Sequence, residues 1–79
     1  MKSNTEMAIE EARINAEKYI EQMMSMDDKK LIKHLDLFRK QMEMAYKQNN
    51  KTAFELLNEY EKQTIQARMK KNFKIEKQD

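Results

Sequence analysis

The side chains able to do chemistry are few, and their spacing decides what they can do. His34 stands between Lys33 and Leu35, one position off an apolar stripe, and it is the only histidine of the chain. A single imidazole cannot build a zinc site with other histidines, and cysteine is absent, which removes thiolate ligands, cysteine nucleophiles and disulfides. Glu17 with Glu21, and Glu55 with Glu59, lie four apart, so each pair shares a helix face. A carboxylate-bridged di-iron bundle also requires Glu-x-x-His motifs from two helices, and the chain contains none. Solvated helix faces account for these carboxylates. Ser25 and Thr52 have no base positioned to activate them and suit helix caps better than nucleophiles. No catalytic, cofactor-binding or metal-binding residue is assigned, and a non-enzymatic protein is the expectation.

The elements that carry these residues follow from composition. The 79 residues include no Gly and no Pro, with 39% hydrophobic and 38% charged side chains. Without Gly, tight hairpin turns and phosphate-cradling loops are disfavoured; without Pro, nothing forcibly interrupts a helix. The bulk is Lys, Glu, Gln, Met, Ala and Leu, which are good helix formers, so the fold class is all-α. High charge raises the alternative of disorder, but the net charge is only +2 and the apolar residues are periodic, which opposes it. A chain this short forms one small domain, residues 1–79, that can bury only a limited core. No run approaches a membrane span, and Met1-Lys2-Ser3-Asn4 leads into an acidic stretch unlike a signal peptide, so a cytoplasmic location is expected.

Three apolar stripes set three helices. Ile9, Ala12, Ala16, Tyr19 and Met23 alternate spacings of three and four, with Ile20 and Met24 at the edge, and Ser3 followed by Glu6 fits a capping box; the helix is placed at about residues 5–24. Leu31, Leu35, Phe38, Met42 and Ala45 form a second stripe, on a helix at about residues 26–48. Its start is Ser25-Met26-Asp27-Asp28, with Ser25 as cap and two Asp in the first turn. The rival is one uninterrupted helix across both stripes. Asn49 tolerates the left-handed conformation that ends a helix, and Asn50 can cap the next, so residues 48–51 form a turn. Ala53, Leu57, Tyr60, Thr64 and Ala67 then define a helix over about residues 51–71, antiparallel to the second, followed by a basic tail, residues 68–79, expected to fray. The sum is an antiparallel three-helix arrangement with a central hairpin. Its small core makes an oligomer, with a dimer favoured, the expectation.

Residues 42–57, Met42-Glu43-Met44-Ala45-Tyr46-Lys47-Gln48-Asn49-Asn50-Lys51-Thr52-Ala53-Phe54-Glu55-Leu56-Leu57, resemble the IDEAL domain. That short module of low-GC Gram-positive proteins is named after an Ile-Asp-Glu-Ala-Leu string that continues through a polar turn into Asp-Lys-Glu-Ala-Phe and a Leu. Met42 stands for the Ile, Glu43 for the Asp, Tyr46 for the Leu and Asn50 for the second Asp. Ala45, Lys51, Ala53, Phe54 and Leu57 match largely as they stand, whereas Met44 departs from the family's Glu. About a fifth of the chain is covered. The resemblance implies a small helical module for protein interaction, in a Firmicute or one of its phages or mobile elements.

Charge divides along the chain. Residues 1–28 carry three basic against seven acidic side chains, residues 29–54 seven against two, and residues 55–79 six against five. An acidic first helix beside a basic second helix is self-consistent. The competing explanation is a nucleic-acid footprint made of Lys29, Lys30, Lys33, Arg39 and Lys40, with Arg68, Lys70, Lys71, Lys74 and Lys77. Against it stand an isoelectric point of 8.8, no recognition-helix turn and no aromatic interleaving for base stacking. A membrane-surface role for residues 68–77 is weaker still, because Met69, Phe73 and Ile75 are few anchors. Methionine is frequent, at 8 residues, and its unbranched thioether suits both irregular cores and adaptable docking surfaces. Met24, Met44 and Tyr46 lie off the main stripes, and with Phe54 they are the predicted partner-binding residues of a small regulator, adaptor or inhibitor. The second class is a dimeric basic nucleic-acid binder.

Overall fold

The computed structural model describes residues 2–77, with side chains described for residues 2–73. Four helices follow one another: α1 (Asn4–Ile14), α2 (Ala16–Met24), α3 (Asp28–Lys47) and α4 (Lys51–Lys77). No strand occurs among the described residues.

The first apolar stripe carries two helices where one was expected. Ser3 caps α1, its hydroxyl accepting from the Glu6 N–H at 3.2 Å. Asn15 then leaves the helical region, at φ −98° and ψ 18°. Its side-chain amide donates to the Glu11 carbonyl at 3.0 Å, the carbonyl that the Asn15 backbone N–H also engages. A short polar side chain bonded to the preceding turn, and a second side chain inserted into the ladder, are both causes of helix bends. The insertion comes from α4: Gln63 donates its amide N–H to the Ala12 carbonyl at 2.9 Å.

The rival of one uninterrupted helix through Ser25 fails, but Ser25 is not the cap of α3. Its hydroxyl donates back to the Gln22 carbonyl at 2.7 Å and so finishes α2. Asp27 starts α3, its carboxylate accepting from the Lys29 N–H at 3.4 Å. A carboxylate is the better partner for the positive end of the dipole, and it sits two residues nearer the apolar stripe.

The turn between α3 and α4 forms as the two asparagines dictate. Asn49 takes φ 56°, the left-handed region. The N–H groups of Asn49 and Asn50 donate to the Tyr46 and Ala45 carbonyls at 3.1 and 2.9 Å, the paired bonds of a Schellman ending. Asn50 then caps α4, its side-chain oxygen accepting from the Ala53 N–H at 3.2 Å. α4 does not stop at residue 71 but stays helical to Lys77, because neither Gly nor Pro interrupts a run of good helix formers. The rest of the tail, residues 78 and 79, lies outside the described residues.

α4 is the spine. It packs against α1, α2 and α3, and its 27 residues, about 40 Å at 1.5 Å each, run along the 49 Å length of the molecule. Every residue of the three apolar stripes is buried or half-buried. The fully buried hydrophobic residues are Ile9, Ala12, Ile20, Leu31, Leu35, Ala45 and Ala67, and the three alanines let the helices approach closely. The acidic first arm and the basic α3 do not complement each other directly. Among the described residues, ion pairs between helices all end on α4: Arg13–Glu59, Arg39–Glu61 and Asp28–Arg68.

Candidate interaction surfaces

Concave regions lie between these helices. At the hairpin tip, Tyr46 before the turn and Phe54 after it line a hollow of about 440 Å³ together with Asn49, Asn50, Lys51 and Glu55. Tyr46 is 75% exposed, turned about 100° off the buried stripe that ends at Ala45, while Phe54 is half-buried. At the other end, Ile20, Glu21 and Met24 of α2 and Met69, Lys70 and Phe73 of α4 line a trough of about 510 Å³. Between them, α2 and α3 wall a cleft of about 330 Å³ whose floor is α4, with Tyr19, Met23, His34, Phe38, Tyr60 and Thr64 among its lining. The Phe38 ring stacks at 5.9 Å on Tyr60 and at 6.1 Å on His34, both tilted.

The predicted partner-binding residues do not form one patch. Phe54 and Met69 are fifteen residues apart on α4, about 22 Å along its axis, so the tip and the trough are separate surfaces. Tyr46 and Phe54 share the tip; Met24 lines the trough. Met44 is 59% exposed but joins neither, because two positions along a helix turn it about 200° from Tyr46. Reasoning from sequence weighed Met69 and Phe73 only as membrane anchors and left Ile65 out altogether; all three are on the C-terminal half of α4. Ile65, Met69 and Phe73, spaced by four, are all exposed and line up along the side opposite buried Gln63, Thr64 and Ala67. The spacing itself was the available signal; it was hidden by reading residues beyond Ala67 as a frayed end.

The predicted basic footprint is partly spent on structure. Arg68 clamps Asp28 with two bonds, Nε–Oδ1 at 2.8 Å and Nη2–Oδ2 at 3.3 Å. That hydrogen bond holds the Asp28 carboxyl below the usual carboxylate range and lifts the Arg68 guanidinium above its own. Arg39 bonds Glu61 at 3.3 Å, and Lys71 donates to the Met26 carbonyl. Lys29, Lys30, Lys33 and Lys40 remain exposed on α3, as does Lys70 on α4. The side chains of Lys74 and Lys77 lie outside the described residues, as does that of Ile75.

Among the described residues, Gln63 is the one buried side-chain amide. It is 2% exposed, and besides the Ala12 carbonyl it donates to the Glu59 carboxylate at 3.2 Å. Thr64 beside it donates to the Tyr60 carbonyl at 2.8 Å and lies 3.3 Å from the Met23 sulfur. Among the described residues, no group of His, Cys, Asp and Glu could hold a metal ion, and no helix is long and apolar enough to cross a membrane. No family model, no curated protein and no solved structure matches the chain.

Proposed function

We propose that the protein is a non-enzymatic interaction module, a small regulator, adaptor or inhibitor that docks helix faces onto another polypeptide. α1 and α2 act as one bent arm beside the α3–α4 hairpin, giving a three-helix arrangement that is finished by association, as a homo-oligomer or on a larger protein. The observation that carries this reading is the row Ile65, Met69 and Phe73, three large apolar side chains exposed in helical register beside the Met24 trough. Scattered surface hydrophobics need no explanation, but a row in register does, because such a ridge fits the groove of another helix. Tyr46 and Phe54 at the hairpin tip supply a second anchor of the aromatic kind that dominates protein interfaces. The resemblance at residues 42–57 agrees with this class and points to a Gram-positive or phage source, with action in the cytoplasm.

The test is affinity capture from a Gram-positive lysate with the full chain and with Phe54→Ala, Met44→Asp and Met69→Glu in parallel. One dominant protein is expected on the wild type and lost on at least one of the variants. Recovery of no specific protein, together with a monomer whose apolar side chains are all protected, overturns the proposal.

Nucleic-acid binding is the second reading, favoured by the exposed Lys29, Lys33 and Lys40 along the outer side of α3. It predicts affinity for DNA that falls steeply with salt and is abolished by reversing Lys29, Lys30 and Lys33. No binding at low salt ends it.

A further inference from the structure

We infer that α1 is a strap closed over α4 and hinged at Asn15. The first arm then has two states: the bent one of this structure, and a straight one in which α1 and α2 run on as a single helix over residues 4–24 and α1 leaves the spine. The inference goes beyond the docking role, since it concerns only how this chain's own elements close on one another.

The first ground is the hydrogen-bond ladder. The Asn15 N–H reaches the Glu11 carbonyl at 2.9 Å, and the Tyr19 N–H reaches the Asn15 carbonyl at 3.0 Å. Between them, among the described residues, the bonds that a continuous helix would make from Ala16, Glu17 and Lys18 to Ala12, Arg13 and Ile14 are absent. Gln63 donates to the Ala12 carbonyl in place of the Ala16 N–H. One acceptor therefore has two alternative donors, one for each state. The second ground is the sequence at the joint. Ile14-Asn15-Ala16 holds neither Gly nor Pro, and Ile9, Ala12, Ala16, Tyr19 and Met23 keep one helical period straight through it. Asn15 lies at φ −98° and ψ 18°, so a rotation of about 60° in ψ brings it to the helical value.

The third ground is how α1 is held down. Ile9 and Ala12 are its fully buried residues, while Met7 and Ile14 are 56% and 82% exposed. The polar fastening is a short chain of side chains: Gln63 to the Ala12 carbonyl, Glu59 accepting from Gln63 at 3.2 Å, and Arg13 at 3.9 Å from Glu59. An element with so few buried apolar groups opens at a lower free energy than the core. The chain beyond the joint is tied more firmly. Ile20 is buried, the Thr64 hydroxyl lies 3.3 Å from the Met23 sulfur, Lys71 donates to the Met26 carbonyl, and Arg68 clamps Asp28. Straightening therefore moves α1 and leaves α2 in place. Release of α1 uncovers Glu59, Tyr60 and Gln63 on α4. Tyr60 lines the cleft between α2 and α3 on one side and a smaller hollow under Ala8, Glu11 and Ala12 on the other. With α1 away the two hollows join, so the strap governs access to the Tyr60 end of the cleft.

The test reads the joint by distance. Met7→Cys with Asn58→Cys places spin labels on exposed sites of α1 and α4, and Glu21→Cys with Gln66→Cys does the same for α2 and α4; the chain has no other cysteine to label. Labelled chains are diluted with unlabelled ones, so that distances within one chain are measured. The bent distance is expected to dominate when no other residue is changed. Gln63→Leu cannot donate to Ala12. It is expected to raise the long-distance fraction of the α1–α4 pair by at least about fivefold, the population equivalent of one lost side-chain bond, and to leave the α2–α4 pair unchanged. Asn15→Ala is the second variant: it removes the bond to Glu11, favours helix through the joint and should act in the same direction. In both, amide exchange at Ala16, Glu17 and Lys18 should slow, and far-UV circular dichroism should show helix kept or gained, because the ladder closes as α1 leaves. An α1–α4 distance unmoved in either folded variant overturns the inference. So does a longer distance accompanied by loss of helix, since α1 then melts instead of joining α2.

Discussion

Replacing Gln63 with Leu removes the buried side chain that bonds the α4 spine to the backbone at the bend of the first arm. Gln63 is 2% exposed, and its amide donates to the Ala12 carbonyl at 2.9 Å and to the Glu59 carboxylate at 3.2 Å. Leu nearly fills the volume but cannot donate, so the Ala12 carbonyl loses the partner that α4 supplies. Leaving a buried polar group unsatisfied costs about 1–3 kcal/mol. A domain of this length has a total stability of about 4–12 kcal/mol, so the loss is a large fraction of the whole. For 60–100 residues each kcal/mol moves Tm by about 4–8 °C, and the expected drop is therefore about 8–16 °C for a mid-range loss of about 2 kcal/mol. The assay is thermal and urea unfolding by circular dichroism at one fixed protein concentration, because association makes Tm depend on concentration. Gln63→Glu should be worse than Gln63→Leu at neutral pH, since it aims a carboxylate at the Ala12 carbonyl and sets a like charge beside Glu59. If Gln63→Leu unfolds within about 0.5 kcal/mol of the wild type, the range of a neutral surface change, the bond to Ala12 does not hold the bend.

Three further perturbations have defined outcomes. Asp28, whose carboxyl is held below its usual range by the Arg68 bond, contributes stability that is present above the unfolded carboxylate pKa and is lost as pH falls through its lowered folded value; a carboxyl NMR titration should give a midpoint below that of an unpaired aspartate that rises toward it in Arg68→Gln. Asn49→Val places a β-branched side chain at φ 56° and should cost about 1–2 kcal/mol in urea unfolding, whereas Asn49→Gly should be neutral or stabilising. Leu31→Ala empties a position that is 0% exposed and should cost about 2–5 kcal/mol, enough to broaden or abolish the cooperative transition, while Met44→Asp on the surface should change stability by less than about 0.5 kcal/mol.

The parts of the fold that were legible in sequence are those where one residue type has one physical use. Asn49 and Asn50 marked the hairpin because a chain without Gly has little else that tolerates a left-handed turn, and Leu31, Leu35 and Ala45 marked the buried side of α3 by their period. Asn15 was not legible as a break. It lies between Ile14 and Ala16 in a good helical run, and it bends the chain only because its amide turns back onto Glu11 while Gln63 arrives from 51 residues away. Gln63 itself reads as a solvated edge residue, since its partner is a backbone carbonyl that no local pattern discloses. The candidate surfaces divided in the same way. Tyr46 with Phe54 follows from the hairpin, but Met44 was grouped with Tyr46 against the helical angle, and Met69 was read only as a membrane anchor because its basic neighbours Arg68, Lys70 and Lys71 masked its register with Ile65 and Phe73.

The central claim is that the row on α4 is covered by another polypeptide in the working protein, a second copy or a larger protein. Hydrogen exchange at the side of α4 is indirect; the weight-average mass of the wild-type chain across a dilution series is not. A mass approaching twice 9.6 kDa, falling to the single value on dilution and at all concentrations in Met69→Glu, is the result expected. A mass of one chain at every concentration, with no specific protein recovered by affinity capture, contradicts it.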